Sequence, residues 1–244
     1  MKHQPSITAI LTAAALAMVG CDTKDTKNTA AGGGGISTGT ADGNPLEIVY
    51  PPAVVSGTEK AVTGVPNLIQ VPEAPRTFRV PAGTTLLSNQ KKVTSSDDNP
   101  IVGSLDLITD GDRQCGEGYY VELLDGTQWV QLDLEKSAAI HAVCVWHNFM
   151  GAKPPAFGRA YHDVIIQISD DPTFKTGFTT IYNNDYDDSS KLGKGKDSPY
   201  AESRFGLIAD GNGTVGRYVR LYSAGNTANE MNHYTEVEVY GVAK

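Results

Sequence analysis

Between Gly126 and Cys144 the chain reads GTQWVQLDLEKSAAIHAVC. Trp129, Gln131 and Asp133 alternate with Val130, Leu132 and Leu134, a period of two that marks a strand with two unlike faces. Glu135 to Ala139 is polar and small and reads as a turn. Ile140, Ala142 and Cys144 then alternate with His141, Val143 and Val145, so the pattern predicts a hairpin at the centre of a β-sheet. Similar runs recur at YYVELL, DVIIQIS, TTIYNN, RYVRLYS and EVEVYG, separated by turn residues, and no amphipathic helix stands out. The expected fold class is all-β, with one buried core over residues 86–244.

Ahead of that region the pattern changes twice. Residues 45–85 hold Pro45, Pro51, Pro52, Pro66, Pro72, Pro75 and Pro81. Proline fixes φ and removes a donor, which excludes long helices and central strands. Leu68, Ile69, Val71, Phe78 and Val80 are too apolar for a free stalk, so this reads as an arm that packs along the domain. Residues 21–44 are Thr, Asp, Lys, Gly and Ala with four glycines in a row. Such a stretch lacks the apolar surface to offset the entropy of ordering and is expected to be a flexible tether. Residues 1–20 read as a targeting segment: a basic start at Lys2, then an apolar run too short to span a bilayer. Ala17-Met18-Val19-Gly20-Cys21 resembles a bacterial lipobox, which implies lipidation of Cys21. An ordinary secretory signal with a chance cysteine is the other reading.

Four stretches share one resemblance. They are Ile108-Thr109-Asp110-Gly111-Asp112, then WVQLDL with the following IHAVCVW, then VIIQISDD at 164–171, and finally RYVRLY at 217–222 with EVEVYG at 236–241. In that order, over about residues 86–243, they resemble the discoidin or coagulation factor 5/8 type C domain family. The resemblance implies a jelly-roll β-sandwich of the galactose-binding-like kind. Its bacterial members include carbohydrate-binding modules.

Composition narrows the partners. The formal net charge is −8, which argues against nucleic acid, whose binding wants a basic footprint. It also argues against an anionic lipid surface, so any membrane contact is expected through the lipid anchor alone. There are 3 cysteines. With Cys21 lipidated, Cys115 and Cys144 remain, either as a disulfide or as two buried thiols. Ser-x-x-Lys, Gly-x-Ser-x-Gly, His-Glu-x-x-His and Walker-type spacings are absent. His162-Asp163 does not read as an oriented base, because neighbours at the start of a strand point to opposite faces. No enzyme activity is expected.

The family resemblance also implies sites. Asp110 and Asp112, with Glu236 at the start of the last strand, match positions where bacterial members hold a structural Ca²⁺, an ion that wants six to eight oxygens. Arg113 to Gly118 departs from the family there. The loop Asn183 to Asp188 is a second, weaker candidate for a cation. For a ligand, His147 and Arg159 match the family's binding positions, Tyr161 and His162 lie on the same excursion, and Asn226 and Asn229 are a looser match. Such donors beside aromatic rings suit a sugar's hydroxyls and C–H face. Trp129 and Trp146 read as core. The expected function is a non-catalytic module, lipid-anchored to the bacterial cell envelope, that binds a glycan or envelope polysaccharide. A protein-binding adhesion or scaffold module, and an accessory subunit that targets a separate enzyme to a polysaccharide, are the alternatives.

Overall fold

The computed structural model describes residues 36–54, 60–154 and 157–244. The expected signal segment, Cys21 and most of the tether lie outside the described residues. The strands are β1 (Asn44–Pro45), β2 (Arg79–Val80), β3 (Thr85–Leu86), β4 (Val93–Ser95), β5 (Val121–Leu123), β6 (Gln128–Trp146), β7 (Ala160–Tyr161), β8 (Ile165–Ser169), β9 (Phe178–Asn183), β10 (Tyr200–Ala201), β11 (Leu207–Ser223), β12 (Asn232–Tyr234) and β13 (Glu236–Ala243), with a 3-10 helix at Leu105–Thr109. The main antiparallel sheet runs β3-β13-β6-β11-β8-β9, and β4 also pairs with β6. Two short pairs, β5–β12 and β7–β10, complete the sandwich. The all-β sandwich expected from the sequence is the architecture observed. No helix among the described residues is long and apolar enough to cross a membrane.

The expected hairpin is not a hairpin. Gln128–Trp146 is one strand of 19 residues. Glu135 takes φ +68°, and its N–H donates to Asp133 Oδ1 at 2.8 Å. Polar residues that read as a turn therefore make a bulge, which bends a strand without ending it. The register of β11 shifts opposite, between Gly216 and Tyr218. There Arg217 grips both oxygens of Asp133, at 2.6 and 2.8 Å. Before the bulge β6 pairs with β4 and the second half of β11; after it, with β13 and the first half of β11.

A further register shift sits at His141. One extra residue exchanges the faces of a strand. Ile140 accordingly joins Val143 and Val145 in the main core, with Leu123, Leu132, Ile166, Leu221 and Val239. Ala142, Cys144 and Trp146 face the other way. That outer face is covered by Phe78 and Val80 of the proline-rich arm, which are 3 % and 5 % exposed. The arm pairs with chain earlier than the expected tether boundary at residue 44: Thr40 N–H donates to the Arg79 carbonyl at 2.9 Å, and Arg79 N–H to the Thr38 carbonyl at 3.0 Å.

Cys115 and Cys144 are buried free thiols, so the disulfide alternative is not formed. Each has its own surroundings. Cys115 Sγ donates to Asn148 Oδ1 at 3.2 Å, while Cys144 lies opposite Glu238 across the β6–β13 pair.

Candidate functional site

The β5–β12 register sets Glu122 directly opposite His233. Their side chains meet: His233 Nε2 is 3.0 Å from Glu122 Oε2. On the other side of the imidazole three groups converge on Nδ1. These are Tyr161 Oη at 3.4 Å, Arg159 Nη1 at 3.5 Å and Asn226 Nδ2 at 3.5 Å. Tyr161 can donate to Nδ1 and Glu122 faces Nε2 as an acceptor, while both amide protons of Asn226 go to Asn229 and Met231 and Arg159 lies against both ring nitrogens, so Tyr161 and Glu122 together point to a neutral imidazole that donates from Nε2. Burial, Arg159 and His147 together push the His233 pKa down to about 3.

Neighbouring loops are tied to this pair. Thr227 N–H donates to the Ala160 carbonyl at 3.1 Å, and Ala160 N–H to Thr227 Oγ1 at 2.9 Å. Asn226 folds its loop through its own amide, donating to Asn229 Oδ1 at 2.9 Å and to the Met231 carbonyl at 3.0 Å. Gly225 opens that loop at φ +76°, and a Cβ there would press on Glu230 backbone at 3.1 Å. Tyr120 sets its ring 5.7 Å from that of His233, and Tyr119 beside it is exposed.

Arg159 is half-buried, and its Nη1 lies 3.4 and 3.5 Å from the two ring nitrogens of His233, with the Tyr161 hydroxyl as a further partner. Good N–H···O or N–H···N contacts are nearer 2.9–3.0 Å, roughly. Long contacts of this kind leave donor capacity over, near the half-buried Tyr120.

The expected ligand residues divide. Arg159, Asn226 and Asn229 reach this cluster. His147 does not offer itself to a ligand: it is fully buried. Its ring stacks on Tyr161 at 4.3 Å, and its Nδ1 is 2.9 Å from Tyr200 Oη and 3.1 Å from Glu202 Oε2. It supports Tyr161 from behind. Tyr161 is itself fully buried and meets the site only through its hydroxyl. His162 points elsewhere, and not away from its neighbour as expected: β8 starts only at Ile165, so the alternation does not hold here and His162 Nδ1 meets Asp163 Oδ2 at 3.0 Å, a carboxylate that raises the imidazole above its ordinary value. Glu122, His233 and Tyr120 were not singled out from the sequence as site residues. The signal available was the alternation in YYVELL, which puts Tyr120 and Glu122 on one face.

The expected Ca²⁺ set is only partly assembled. Glu236 is 1 % exposed, and the one side-chain hydrogen bond described for it comes from Gly111 N–H at 3.1 Å. Burial, then the like charges of Glu238 and Asp110, push its pKa up to about 9. A cation beside it would relieve that, so Glu236 and Asp110 fit an oxygen-ligated ion. Asp112 fits less well, because it closes onto Gln114 N–H and Nε2 at 2.9 and 3.3 Å. Among the described residues, the acidic group that gathers one oxygen each within 4.8 Å is a different one: Asp163, Asp185 and Asp187.

A pH effect follows from His233. The unfolded chain protonates this histidine near pH 6.5 and the folded chain only near pH 3. Its contribution to stability is complete above about pH 6.5 and is lost as pH falls toward 3, by up to about 1.4 kcal/mol per pH unit. Urea unfolding at about pH 7, 6 and 5 should show a steeper fall for the wild type than for His233→Gln. Parallel curves for the two proteins would refute the neutral assignment.

No protein-family model matches the chain, and no curated protein does. Among solved structures, a truncated AlyQ with CBM32 and alginate lyase domains is similar with a TM-score of 0.47 at 17% identity, over 66% of this chain and 34% of that one. This chain thus spans about a third of its length. A chitosan-binding module 1 derived from a chitosanase/glucanase of Paenibacillus sp. IK-5 gives 0.41 at 20% identity, over 64% and 99%. A fucose binding module of Streptococcus pneumoniae gives 0.44 at 16% identity, over 64% and 97%.

Proposed function

We propose that the chain is a non-catalytic carbohydrate-binding module, held to a bacterial envelope by a lipid on Cys21. The observation that carries the reading is the Arg159 guanidinium. It stands partly exposed, with long contacts to a neutral imidazole, near the half-buried Tyr120. A sugar hydroxyl accepts from such a donor, and a tyrosine face takes the sugar's C–H surface. Glu122 and His233 set the guanidinium's position; Asn226 and Asn229 shape the rim. The order of discoidin-like motifs in the sequence supports the same ligand class. Glu236, Asp110 and carbonyls of the loop that follows Asp110 would hold a structural Ca²⁺, which would neutralise the buried acid and stiffen the loop.

A glycan array tests this. The wild type is expected to bind a defined sugar, and Arg159→Ala to lose at least about tenfold in affinity, the loss of a hydrogen bond from a charged donor. EDTA is expected to weaken binding without abolishing it. A folded protein with a blank array would move the reading to a protein partner, for which a single rim change has a small effect.

A further inference from the structure

The β8–β9 hairpin carries a second cluster, built from other residues than those around Arg159. Ile165 on β8 pairs with Asn183 on β9. Two residues beyond that rung, on both strands, stand Asp163 and Asp185. Asn184 locks the arrangement: its N–H donates to the Val164 carbonyl at 3.1 Å, and its Oδ1 accepts Val164 N–H at 2.7 Å. Asp187 comes back over the same spot on the following turn. One carboxylate oxygen from each of the three lies within 4.8 Å of the others.

Acidic clusters on loops are common and solvated. Asp163 is not solvated. It is 2 % exposed, and its Oδ1 is buried with no hydrogen-bond partner. Its Oδ2 faces His162 Nδ1 at 3.0 Å. A buried anionic oxygen without a donor is costly unless a cation meets it. The loop itself does not supply one. Asp185 receives Ser189 N–H at 3.0 Å and Ser190 N–H at 3.0 Å. Asp187 shares Ser189 N–H at 3.2 Å. These bonds fix two of the carboxylates but leave Asp163 Oδ1 unmet.

We propose that this end of the hairpin is a binding site for a divalent cation of the Ca²⁺ class, taking one carboxylate oxygen each from Asp163, Asp185 and Asp187. Hard oxygen donors at a partly open loop suit Ca²⁺, with water and carbonyl oxygens completing its shell. The site's three ligands are none of the residues assigned above to the Glu236 site or to the glycan-binding face. Its ion would tie the Asn183–Ser190 loop to the start of β8.

Tyr186 gives the site its own reporter, because its ring lies 6.0 Å from that of His162. The full chain, cleared of metal, is titrated with Tb³⁺ while tyrosine is excited. The expected result is sensitised emission that Ca²⁺ displaces. Asp187 is exposed, so Asp187→Asn should fold normally by circular dichroism and bind at least about tenfold more weakly. Tyr186→Phe should lose the part of the emission that Asp187→Asn also loses, while calorimetry shows unchanged affinity. Absence of sensitised emission from the wild type would overturn the site. So would Asp187→Asn titrating like the wild type, or Tyr186→Phe emitting as before.

Discussion

Trp146→Ala is expected to cost about 3–5 kcal/mol of stability, within the range for truncating a large buried aromatic. Trp146 is fully buried at the end of β6, on the face that the arm covers. Its Nε1–H donates to the Arg204 carbonyl at 3.1 Å, and the Arg113 guanidinium lies 5.4 Å over its ring. Gly206 approaches so closely, at φ +65°, that a Cβ there would sit 2.9 Å from the indole. Packing this tight leaves little room to collapse into the cavity. The same change should loosen the arm, since Phe78 and Val80 share that cluster. Denaturant unfolding measures the first effect, and limited proteolysis within 45–85 the second. A loss under about 1 kcal/mol would show that the arm's contacts are not a real core.

Glu238→Gln should be comparably severe, at about 3–5 kcal/mol. Glu238 is fully buried on β13 and pairs with Arg113, whose side chain is 18% exposed. It also accepts the Tyr240 hydroxyl at 2.8 Å. Removing one charge leaves the other uncompensated in a poorly solvated place. Changing both partners, as Glu238→Gln with Arg113→Met, should recover most of the loss, because a buried pair is worth far less than its broken halves suggest. A double variant as unstable as the sum of the singles would contradict this account.

Strand positions were legible where the pairing is local or the alternation unbroken. RYVRLYS and EVEVYG lie within β11 and β13. What the alternation hid was continuity. Glu135, Lys136 and Ser137 look like a turn, and only the opposing Arg217 on β11 shows that they are a bulge. The first half of β11 was missed for the same reason. Gly211-Asn212-Gly213 reads as a break, yet Gly211 passes so near the Ile140 carbonyl that a Cβ would be 2.5 Å away.

The candidate site was half legible. Arg159 and Asn226 were found through family-like spacing. His147 looked like their companion, and its burial depends on Tyr161, Tyr200 and Glu202, which arrive from distant parts of the chain. Glu122 and His233 meet because two short strands pair across 111 positions, which no local pattern announces. The acidic cluster was visible only in its 183–188 half, since Asp163 joins it through the β8–β9 register.

The two thiols in the fold bear on how the protein can be made. Burial pushes Cys115 up to about 11 and Cys144 well above the ordinary thiol value. At neutral pH the Cys115 thiolate is then about one part in ten thousand, too scarce for rapid exchange. The described fold holds its core without a bond between Cys115 and Cys144 and so needs no oxidant acting on them. A reducing medium takes no bond away from it.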